Sequence, residues 1–364
     1  MENAVRNGLQ GVVAAETRLS MVDGERGELV IAGHALEELA SWRFEDVVAL
    51  LWQTAGFHGR PRATAMPPHT ERILREIASA RIDVMDALRM AAGTLTATSD
   101  GAAAEALTGT FPTIVAAYWR LLHDREPLAP RDDLGLAANY LYMLTGATPH
   151  EELVRGLETY LNTVTDHGLN ASTFTARVIA STGSDFVSAI TGALGALKGP
   201  LHGGAPGPAL DMVFEIGDAS RAEEVLRAKI ESGERLMGFG HRVYKVRDPR
   251  ADVLATAARR MFTKAGDMHL YELAGAVERT ALRLLEEYKP GRRLQTNVEF
   301  YTALVLHGLE LEVPLFTPTF AIGRVAGWTA HCFEQRAVGR IIRPESLYVG
   351  DKPSAPTLVS TSGR

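Results

Sequence analysis

Two histidines in this 364-residue chain lie on glycine-rich segments, a setting that presents a side chain to a ligand. His241 stands in "LMGFGHRVYKVRDPRA" (236–251), where two glycines precede it and basic residues follow it closely. Arginine forks match carboxylates and phosphates, and lysine supplies a point charge. The segment therefore predicts a local anion site, and a solvated basic turn is the alternative.

The second glycine-flanked histidine is His202, which lies in "KGPLHGGAP" between a proline turn and two glycines. Glycine allows the backbone to approach a ligand closely, whereas the alternative is a solvated histidine in a turn between helices. His167 follows an apolar helical pattern in "TDHGLNASTFTAR". Alone, that position is typical of a histidine near a helix C-terminus, where a cation is favoured.

Three further charged residues could serve a site, although each has a structural alternative. Glu299 in "QTNVEFYTALVL" precedes an apolar helix, where a carboxylate is favourable without any catalytic role. Arg324 lies within the apolar segment "AIGRVAGWTA", so its charge requires a carboxylate from the protein or from a ligand. Arg343 precedes a proline in a non-helical turn and indicates little by itself.

Composition limits the classes of protein to which the chain can belong. Apolar residues make up 46% of the chain, enough for a large core, and the net charge of −6 argues against a nucleic-acid partner. The single cysteine, Cys332, excludes an intrachain disulfide framework and a multi-cysteine zinc site. Because the N-terminal residues also lack the pattern of a signal peptide, we expect a cytoplasmic protein.

Helical periodicity dominates after an N-terminal segment that predicts a short β-hairpin around "DGERG". We predict an all-α protein, with helices in "EELVRGLETYLNTVTDHG", which stops at Gly168, and in "YELAGAVERTALRLLEEYKPG". The apolar stretch 186–197 is too short to span a membrane and predicts a buried helix. The segment "TSDGAAAEALTG" (98–109) predicts a loop followed by a short helix, and no glycine-rich strand-to-helix loop supports a dinucleotide fold.

Taken in order, the segments "GPLHGGAP", "MGFGHRVYK…DPRA", "NVEFY" and "FEQ…RP" resemble the citrate synthase family. The similarity is to the shorter bacterial and archaeal type, which includes 2-methylcitrate synthases, and it extends from "GVVAAET" to "RPESLYVG". It implies the all-α citrate synthase fold. By this resemblance, residues 1–203 and 306–364 form a large helical domain and residues 204–305 form a smaller mobile one.

The resemblance also implies a reaction: condensation of acetyl-CoA with oxaloacetate, followed by hydrolysis of citryl-CoA. Thioester methyl protons are very weakly acidic, so their removal needs a carboxylate base and a donor at the carbonyl oxygen. Glu299 matches the family's base, and His202 matches the donor to the enolate oxygen. His241 matches the histidine that polarises the oxaloacetate ketone.

Binding roles follow from the same resemblance. His167, Arg250 and Arg324 match the oxaloacetate ligands, and Arg343 matches an arginine that completes the partner's site in a homodimer. The positions that match the CoA site are Leu236, Met237, Gly238, Phe239, Gly240, Arg242 and Lys245. We predict no metal ion and no cofactor, since the CoA thioester is a substrate, and neither a nucleic-acid nor a membrane partner.

One departure from the family pattern leaves the function open. Most members have aspartate where this chain has Glu299, and the added methylene could displace the carboxylate by ~1 Å, enough to harm a near-attack geometry. The backbone could compensate, the enzyme could be slow, or the preferred acyl-CoA could differ. Citrate synthase is therefore the first hypothesis. The alternatives are a 2-methylcitrate synthase that uses propionyl-CoA and a weakened homologue that binds oxaloacetate or CoA.

Overall fold

The computed structural model describes residues 7–9, 11–203, 206–241 and 243–351. Near the N-terminus, three short antiparallel strands form one sheet in the order β1 (Ser20–Asp23), β2 (Glu28–Ile31) and β3 (His34–Ala35). Asp23 pairs with Glu28 across the glycine-containing turn. The predicted hairpin is thus confirmed. The third strand was not predicted, because two residues are too few to show a period of two.

The rest of the regular structure is helical, which confirms the predicted all-α class. The described residues form the following α-helices: α1 (Leu36–Leu39), α2 (Phe44–Thr54), α3 (Pro68–Ser79), α4 (Val84–Ala92), α5 (Asp100–Leu122), α6 (Leu136–Thr145), α7 (Glu151–Val164), α8 (Ala171–Ser181), α9 (Phe186–Leu197), α10 (Pro206–Ile216), α11 (Ala222–Glu231), α12 (Pro249–Ala265), α13 (His269–Tyr288), α14 (Val298–Gly308) and α15 (Phe316–Val338). Within the same residues, no helix is both long enough and apolar enough to cross a membrane.

Two local predictions were wrong. Residues 100–109 begin the long helix α5, which continues through Pro112 to Leu122 instead of ending after a short turn. Burial of most of residues 103–118 stabilises this helix despite the proline, which lacks an N–H for the ladder. Helix α7 ends at Val164 rather than at Gly168, so Asp166 and His167 lie in the following loop.

Helix α9 has the predicted bounds, but it is buried along only part of its surface. Its large apolar residues, such as Phe186 and Ile190, lie in the core, whereas Ser188 and Gly195 are exposed in the single chain. Helix α15, in contrast, is buried along most of its length. Helix α15 packs against α2, α5, α7, α8 and α9 and is therefore the central element of the fold.

Close contact between α7 and α15 depends on two glycines of α15. A Cβ at position 323 would lie 2.8 Å from a methyl carbon of Val164, and one at position 327 would lie 2.2 Å from the carbonyl oxygen of Thr165. Methyl groups can shift more easily than a backbone carbonyl. Gly327 is therefore the stricter requirement, and it brings the loop after α7 directly onto α15.

We expect Gly327→Ala to lower the free energy of unfolding by ~2–3 kcal/mol, because the new methyl group must displace backbone. Gly323→Ala should cost less, about 1 kcal/mol, since the side chain of Val164 can move. Urea denaturation measures both. Gly275→Ala is the matched control: it adds the same methyl group within α13, where the closest atom is the flexible end of Arg279, 3.3 Å away. It should raise stability by about 0.5–1 kcal/mol through helix propensity alone, and equal losses in all three variants would contradict this account.

Candidate active site

A short backbone pairing brings the His241 loop to the N-terminus of α14. The Gly240 N–H donates to the carbonyl of Gln295 at 2.7 Å, and the Asn297 N–H donates to the carbonyl of Gly238 at 3.0 Å. Gly238 has a φ of 87°, and a Cβ there would lie 2.9 Å from Phe300. The glycine is thus needed both for its conformation and for close packing, and the pairing places His241 near Glu299.

Asp248 joins the beginnings of α12 and α14 and fixes Arg250. Its Oδ1 accepts the backbone N–H and the Nε–H of Arg250, both at 3.0 Å. Its Oδ2 accepts from the Nη2 of Arg250 at 2.8 Å and from the Val298 N–H at 3.2 Å. Asp248 is fully buried and Arg250 is almost fully buried. The guanidinium is therefore held in one orientation, and within the described part of the chain no acceptor takes a hydrogen bond from Nη1.

His241 is held as a neutral imidazole with its proton on Nε2. Its Nδ1 accepts the backbone N–H groups of Val243 and Tyr244 at 3.0 and 3.1 Å, so the ring proton must lie on the other nitrogen. Burial and the charge of Arg250 lower the pKa of His241 to about 4. Nε2 lies 3.4 Å from Nη2 of Arg250. Two donors therefore lie side by side, an arrangement suited to a ligand oxygen.

His167 completes this face of the site from the loop after α7. Its Nε2 lies 3.2 Å from the hydroxyl of Tyr244, and its ring centroid lies 5.9 Å from that of His241. Burial lowers the pKa of His167 well below its ordinary value, and the charges of Arg250 and Arg324 lower it further. His167 is therefore neutral at pH 7 and can donate one hydrogen bond without adding charge.

Arg324 is a buried cation without an ionic partner. Its side chain is 1% exposed; Nε donates to the carbonyl of Val164 at 2.5 Å, and the guanidinium lies 4.8 Å from the ring centroid of Phe320. No carboxylate of the described ranges forms an ion pair with it. Burial lowers the pKa of Arg324 to about 10, so it stays charged at pH 7. Asp166 and Glu299 compensate this charge only from beyond ion-pair distance. Because a buried charge without a direct partner is costly, this arrangement predicts an anionic ligand.

Glu299 lies in the first turn of α14, where its backbone N–H donates to Oδ1 of the capping Asn297 at 3.0 Å. The residue is only partly buried. Among the described residues, no hydrogen bond or ion pair occupies its carboxylate. Burial raises the pKa of Glu299 to about 7, with the charge of Arg250 opposing the shift and that of Asp248 supporting it. A free carboxylate with this pKa is suited to accept a proton near neutral pH.

His202 contacts Ser172 at the start of α8. The Ser172 hydroxyl lies 2.8 Å from His202 Nε2 and 2.8 Å from Asn170 Oδ1, and it accepts the indole N–H of Trp328 at 3.1 Å. Burial and the charge of Arg324 lower the pKa of His202 to about 4, so the ring is neutral. Asn170 Oδ1 can only accept, so it competes with His202 Nε2 for the one hydroxyl proton of Ser172. When that proton points to Nε2, the ring proton of His202 lies on Nδ1. His202 can then donate that proton to a ligand.

The structure thus brings together His167, His241, Arg250, Arg324, Glu299 and His202, as the electrostatic influence of Arg324 on both His167 and His202 also indicates. Arg343 is different. It is exposed on the segment after α15 and has no hydrogen-bond or ion-pair partner in the described part of this chain. Its predicted role in the site of a second subunit stays a prediction.

The predicted CoA residues have mixed settings. Leu236 and Phe239 point into the core, with 6% and 7% of their surfaces exposed, while Met237 and Lys245 are partly exposed. The Gly240 N–H is already used by the pairing with Gln295. Arg242 lies outside the described residues. The CoA assignment of these positions therefore stays a prediction, and within the described ranges no group of histidine, cysteine and carboxylate residues fits a metal ion.

Sequence reasoning missed Asp248 and Ser172. Asp248 could have been found, because an aspartate followed by proline is a typical helix start and its carboxylate would then lie near the first turn of α12. No comparable signal identifies Ser172. Its role depends on contacts with His202 and Trp328, which are distant in the sequence.

Comparison with known proteins assigns the family. The sequence model of the citrate synthase C-terminal domain matches residues 8–345. The chain is 36% identical to the citrate synthase of Haloferax volcanii over 97% of each protein, and 36% identical to a 2-methylcitrate synthase of Mycobacterium tuberculosis over 95% of this chain and 91% of that protein. It superposes with a TM-score of 0.85 and 28% identity on Thermoplasma acidophilum citrate synthase, solved with carboxymethyl coenzyme A and oxaloacetate, over 97% of this chain and 99% of the other. The chain therefore belongs to the citrate synthase family of acyltransferases.

Proposed function

We propose that this protein is a citrate synthase, which condenses acetyl-CoA with oxaloacetate and hydrolyses citryl-CoA to citrate and CoA. The observation that carries the proposal is the buried, unpaired guanidinium of Arg324 beside Arg250 and two neutral histidines. A dicarboxylate would supply the negative charge that this cluster lacks. The oxaloacetate in the Thermoplasma acidophilum enzyme supports the choice of that dicarboxylate.

Oxaloacetate binding would use charged and neutral donors for different purposes. Arg250 and Arg324 would pair with the carboxylates, since guanidinium–carboxylate hydrogen bonds are the strong, charge-assisted kind. His167 and His241 would donate single hydrogen bonds. Because the His241 proton is fixed on Nε2, that N–H would polarise the ketone and make its carbon a better electrophile.

Enolisation of the acetyl group would be carried out by Glu299 and His202. The Glu299 carboxylate would take a proton from the thioester methyl group, and the N–H of His202 would stabilise the charge that develops on the carbonyl oxygen. The enolate carbon would then attack the ketone carbon of oxaloacetate. The new alkoxide oxygen would take the Nε2 proton of His241. Water would then hydrolyse the citryl-CoA thioester, with its hydroxyl going to the new carboxyl group of citrate and its proton to the CoA thiolate.

This chemistry needs neither a metal ion nor a cofactor. We further propose that the protein acts as a homodimer, in which Arg343 on the exposed C-terminal segment completes the oxaloacetate site of the partner. The division into a large domain and a mobile domain of residues 204–305, and a cytoplasmic location, remain predictions from the sequence.

The second candidate is a 2-methylcitrate synthase, which would use propionyl-CoA. It is supported by the 36% identity to a Mycobacterium tuberculosis protein of that name, which equals the identity to the Haloferax volcanii citrate synthase. Glu299 in place of the usual aspartate is compatible with either acyl group. Release of the CoA thiol in the presence of oxaloacetate, measured with acetyl-CoA and with propionyl-CoA, distinguishes the two. If neither substrate releases thiol, the remaining hypothesis is the weakened homologue that binds oxaloacetate or CoA.

We expect Arg324→Leu to raise the KM for oxaloacetate by roughly 30-fold to several thousand-fold, equivalent to ~2–5 kcal/mol, because it removes one partner of a buried charge pair. The KM for acetyl-CoA should change far less, and steady-state thiol release measures both constants. Arg336→Leu is the matched control on the same helix. Nε of Arg336 lies 2.9 Å from Oδ2 of Asp100, and Arg336 is not one of the proposed oxaloacetate ligands. A normal oxaloacetate KM in Arg324→Leu would contradict the assignment of the dicarboxylate site.

We expect kcat/KM for oxaloacetate to rise with pH and to level off above a midpoint near 7. The base must be deprotonated to act, and the pKa of Glu299 is raised to about 7. The histidines do not produce this limb, because the pKa values of His202 and His241 are about 4. Initial rates in constant-ionic-strength buffers measure the profile. A midpoint near 4, or no acid limb at all, would be evidence against Glu299 as the base.

Two variants of Glu299 separate charge from reach. Glu299→Gln should lower kcat by ~10²–10⁴-fold with oxaloacetate binding nearly unchanged, since the amide keeps the size but not the basicity. Glu299→Asp keeps the basicity but shortens the side chain by about 1.5 Å, one C–C bond. We expect it to be slower than the natural protein, and a faster Glu299→Asp would mean that the site is built for aspartate.

We expect mixed dimers of Arg343→Ala and His241→Ala to regain activity, although each variant alone is inactive. One of the two sites in each mixed dimer would contain both residues, so random subunit exchange would restore up to about a quarter of the sites. A mixture of His202→Ala with His241→Ala is the control, because every site would still lack one histidine. No recovery after verified exchange would exclude a shared site.

A further inference from the structure

A buried polar cluster lies directly behind His167 and takes no part in the chemistry proposed above. It joins the first strand, the loop after α7, α8 and α15. Its members are Ser20, Asp166, Arg177, His331, Glu334 and Gln335. Asp166 and His331 are fully buried, and Arg177 is 1% exposed. Groups of this kind are costly to bury unless their hydrogen bonds are satisfied, so the arrangement requires an explanation.

Arg177 fixes the protonation of His331. Nη1 of Arg177 lies 3.0 Å from Nδ1 of His331, and a guanidinium can only donate. Nδ1 must therefore be the acceptor, and the ring proton lies on Nε2. That nitrogen is 3.2 and 3.3 Å from the two carboxylate oxygens of Asp166. A neutral His331 thus donates to Asp166 while it accepts from Arg177.

The carboxylate of Asp166 in turn holds the backbone on both sides of His167. The Ser20 hydroxyl donates to Oδ2 of Asp166 at 2.5 Å and accepts the N–H of Gly168 at 2.8 Å. Asp166 and Gly168 are the immediate neighbours of His167 in the chain. A displacement of the Asp166 carboxylate would therefore move the His167 ring relative to Tyr244 and His241.

The far side of Arg177 is also fixed. Nη1 of Arg177 lies 2.7 Å from Oε2 of Glu334, and Nε donates to Oε1 of Gln335 at 3.1 Å. The Gln335 side-chain amide donates to the carbonyl of Arg340, at the start of the segment that carries Arg343. The cluster therefore links the position of His167 to rigid helix α15 rather than to a mobile surface.

We propose that His331 is a positioning residue, which sets the place of His167 through Asp166 and is itself oriented by Arg177. The proposal rests on the proposed function in one respect, that His167 binds oxaloacetate. It adds a residue that touches no substrate, and it assigns a defined tautomer to that residue. Loss of its hydrogen bonds leaves Asp166 and Arg177 with unsatisfied groups, and the loop must move to satisfy them.

Two substitutions separate the hydrogen bonds of His331 from its volume. His331→Phe keeps a ring but neither donates to Asp166 nor accepts from Arg177, whereas His331→Gln keeps one donor and one acceptor. We expect His331→Phe to raise the KM for oxaloacetate by about 10–100-fold, by analogy with partners that orient metal-ligating histidines. The KM for acetyl-CoA should stay within about twofold of normal. His331→Gln should recover most of the loss.

Thr329→Val is the matched control for general destabilisation. Thr329 is also fully buried on α15, and its hydroxyl accepts the indole N–H of Trp52 at 2.9 Å on a different face of the helix. This variant should lower the melting temperature without changing the ratio of the two KM values. An unchanged ratio in His331→Phe, or an equal change in Thr329→Val, would overturn the positioning role.

A measurement without substrate keeps this test independent of the proposed function. The protein is labelled with ¹⁵N-histidine, and the His331 ring resonances are identified as those that disappear in His331→Gln. Their chemical shifts should show the Nε2–H tautomer. His331→Phe should also shift the resonances of His167, and Thr329→Val should not. An Nδ1–H tautomer, or an unshifted His167, would overturn the proposal even if the protein releases no thiol. Absence of thiol release with the expected resonances would instead overturn the proposed function alone.

Discussion

The buried charge of Arg324 is the constraint on which the rest of the site depends. Helix α15 places a guanidinium in the core, with one carbonyl and one aromatic ring as its partners and no carboxylate from the described ranges. Burial lowers the pKa values of His167 and His202, and the positive charge of Arg324 lowers both further, so these neighbours are neutral. Asp166 and Glu299 act on this charge only from beyond ion-pair distance. In the proposed function a bound anion would be its direct partner, so ligand binding and charge compensation would be the same event.

Two aspartates let the protein hold this charge distribution in place, and both act on backbone as well as on side chains. Asp248 orients Arg250 and ties α12 to α14. Asp166 receives the hydrogen bond of His331 and that of Ser20, and it fixes the loop of His167. Asp248 thus positions Arg250, two residues further along the chain. Asp166 positions its immediate neighbour, His167. The residues that would contact substrate are thus held by carboxylates buried inside the protein.

The sequence was enough to propose candidate ligand-binding residues, because glycine-flanked histidines and isolated arginines are visible without a structure. Arg250 is near enough to both His241 and Glu299 to shift their pKa values, although the roles of these residues stay predictions. The sequence did not reveal the contacts that hold these side chains in position. Arg177 with His331, and Ser172 with His202, connect segments about 150 and 30 positions apart, and no local pattern reports such pairs. Helix α5 was missed because burial, which stabilises it despite Pro112, is a property of the fold and not of the segment.

The substitution of glutamate for aspartate at the base position can be considered from its backbone. The N–H of Glu299 is held by the Asn297 cap, and the N–H of Val298 is held by Asp248, which also holds Arg250. A retreat of this turn by one C–C bond, about 1.5 Å, would break hydrogen bonds that also orient Arg250, the proposed oxaloacetate ligand. Accommodation of the longer side chain must therefore come from the side-chain conformation of Glu299 and from the position of the proposed acyl group. For the same reason an aspartate placed on this backbone could not move forward to recover the lost reach, so in the proposed reaction the length of residue 299 and the position of the acyl group must be matched to each other.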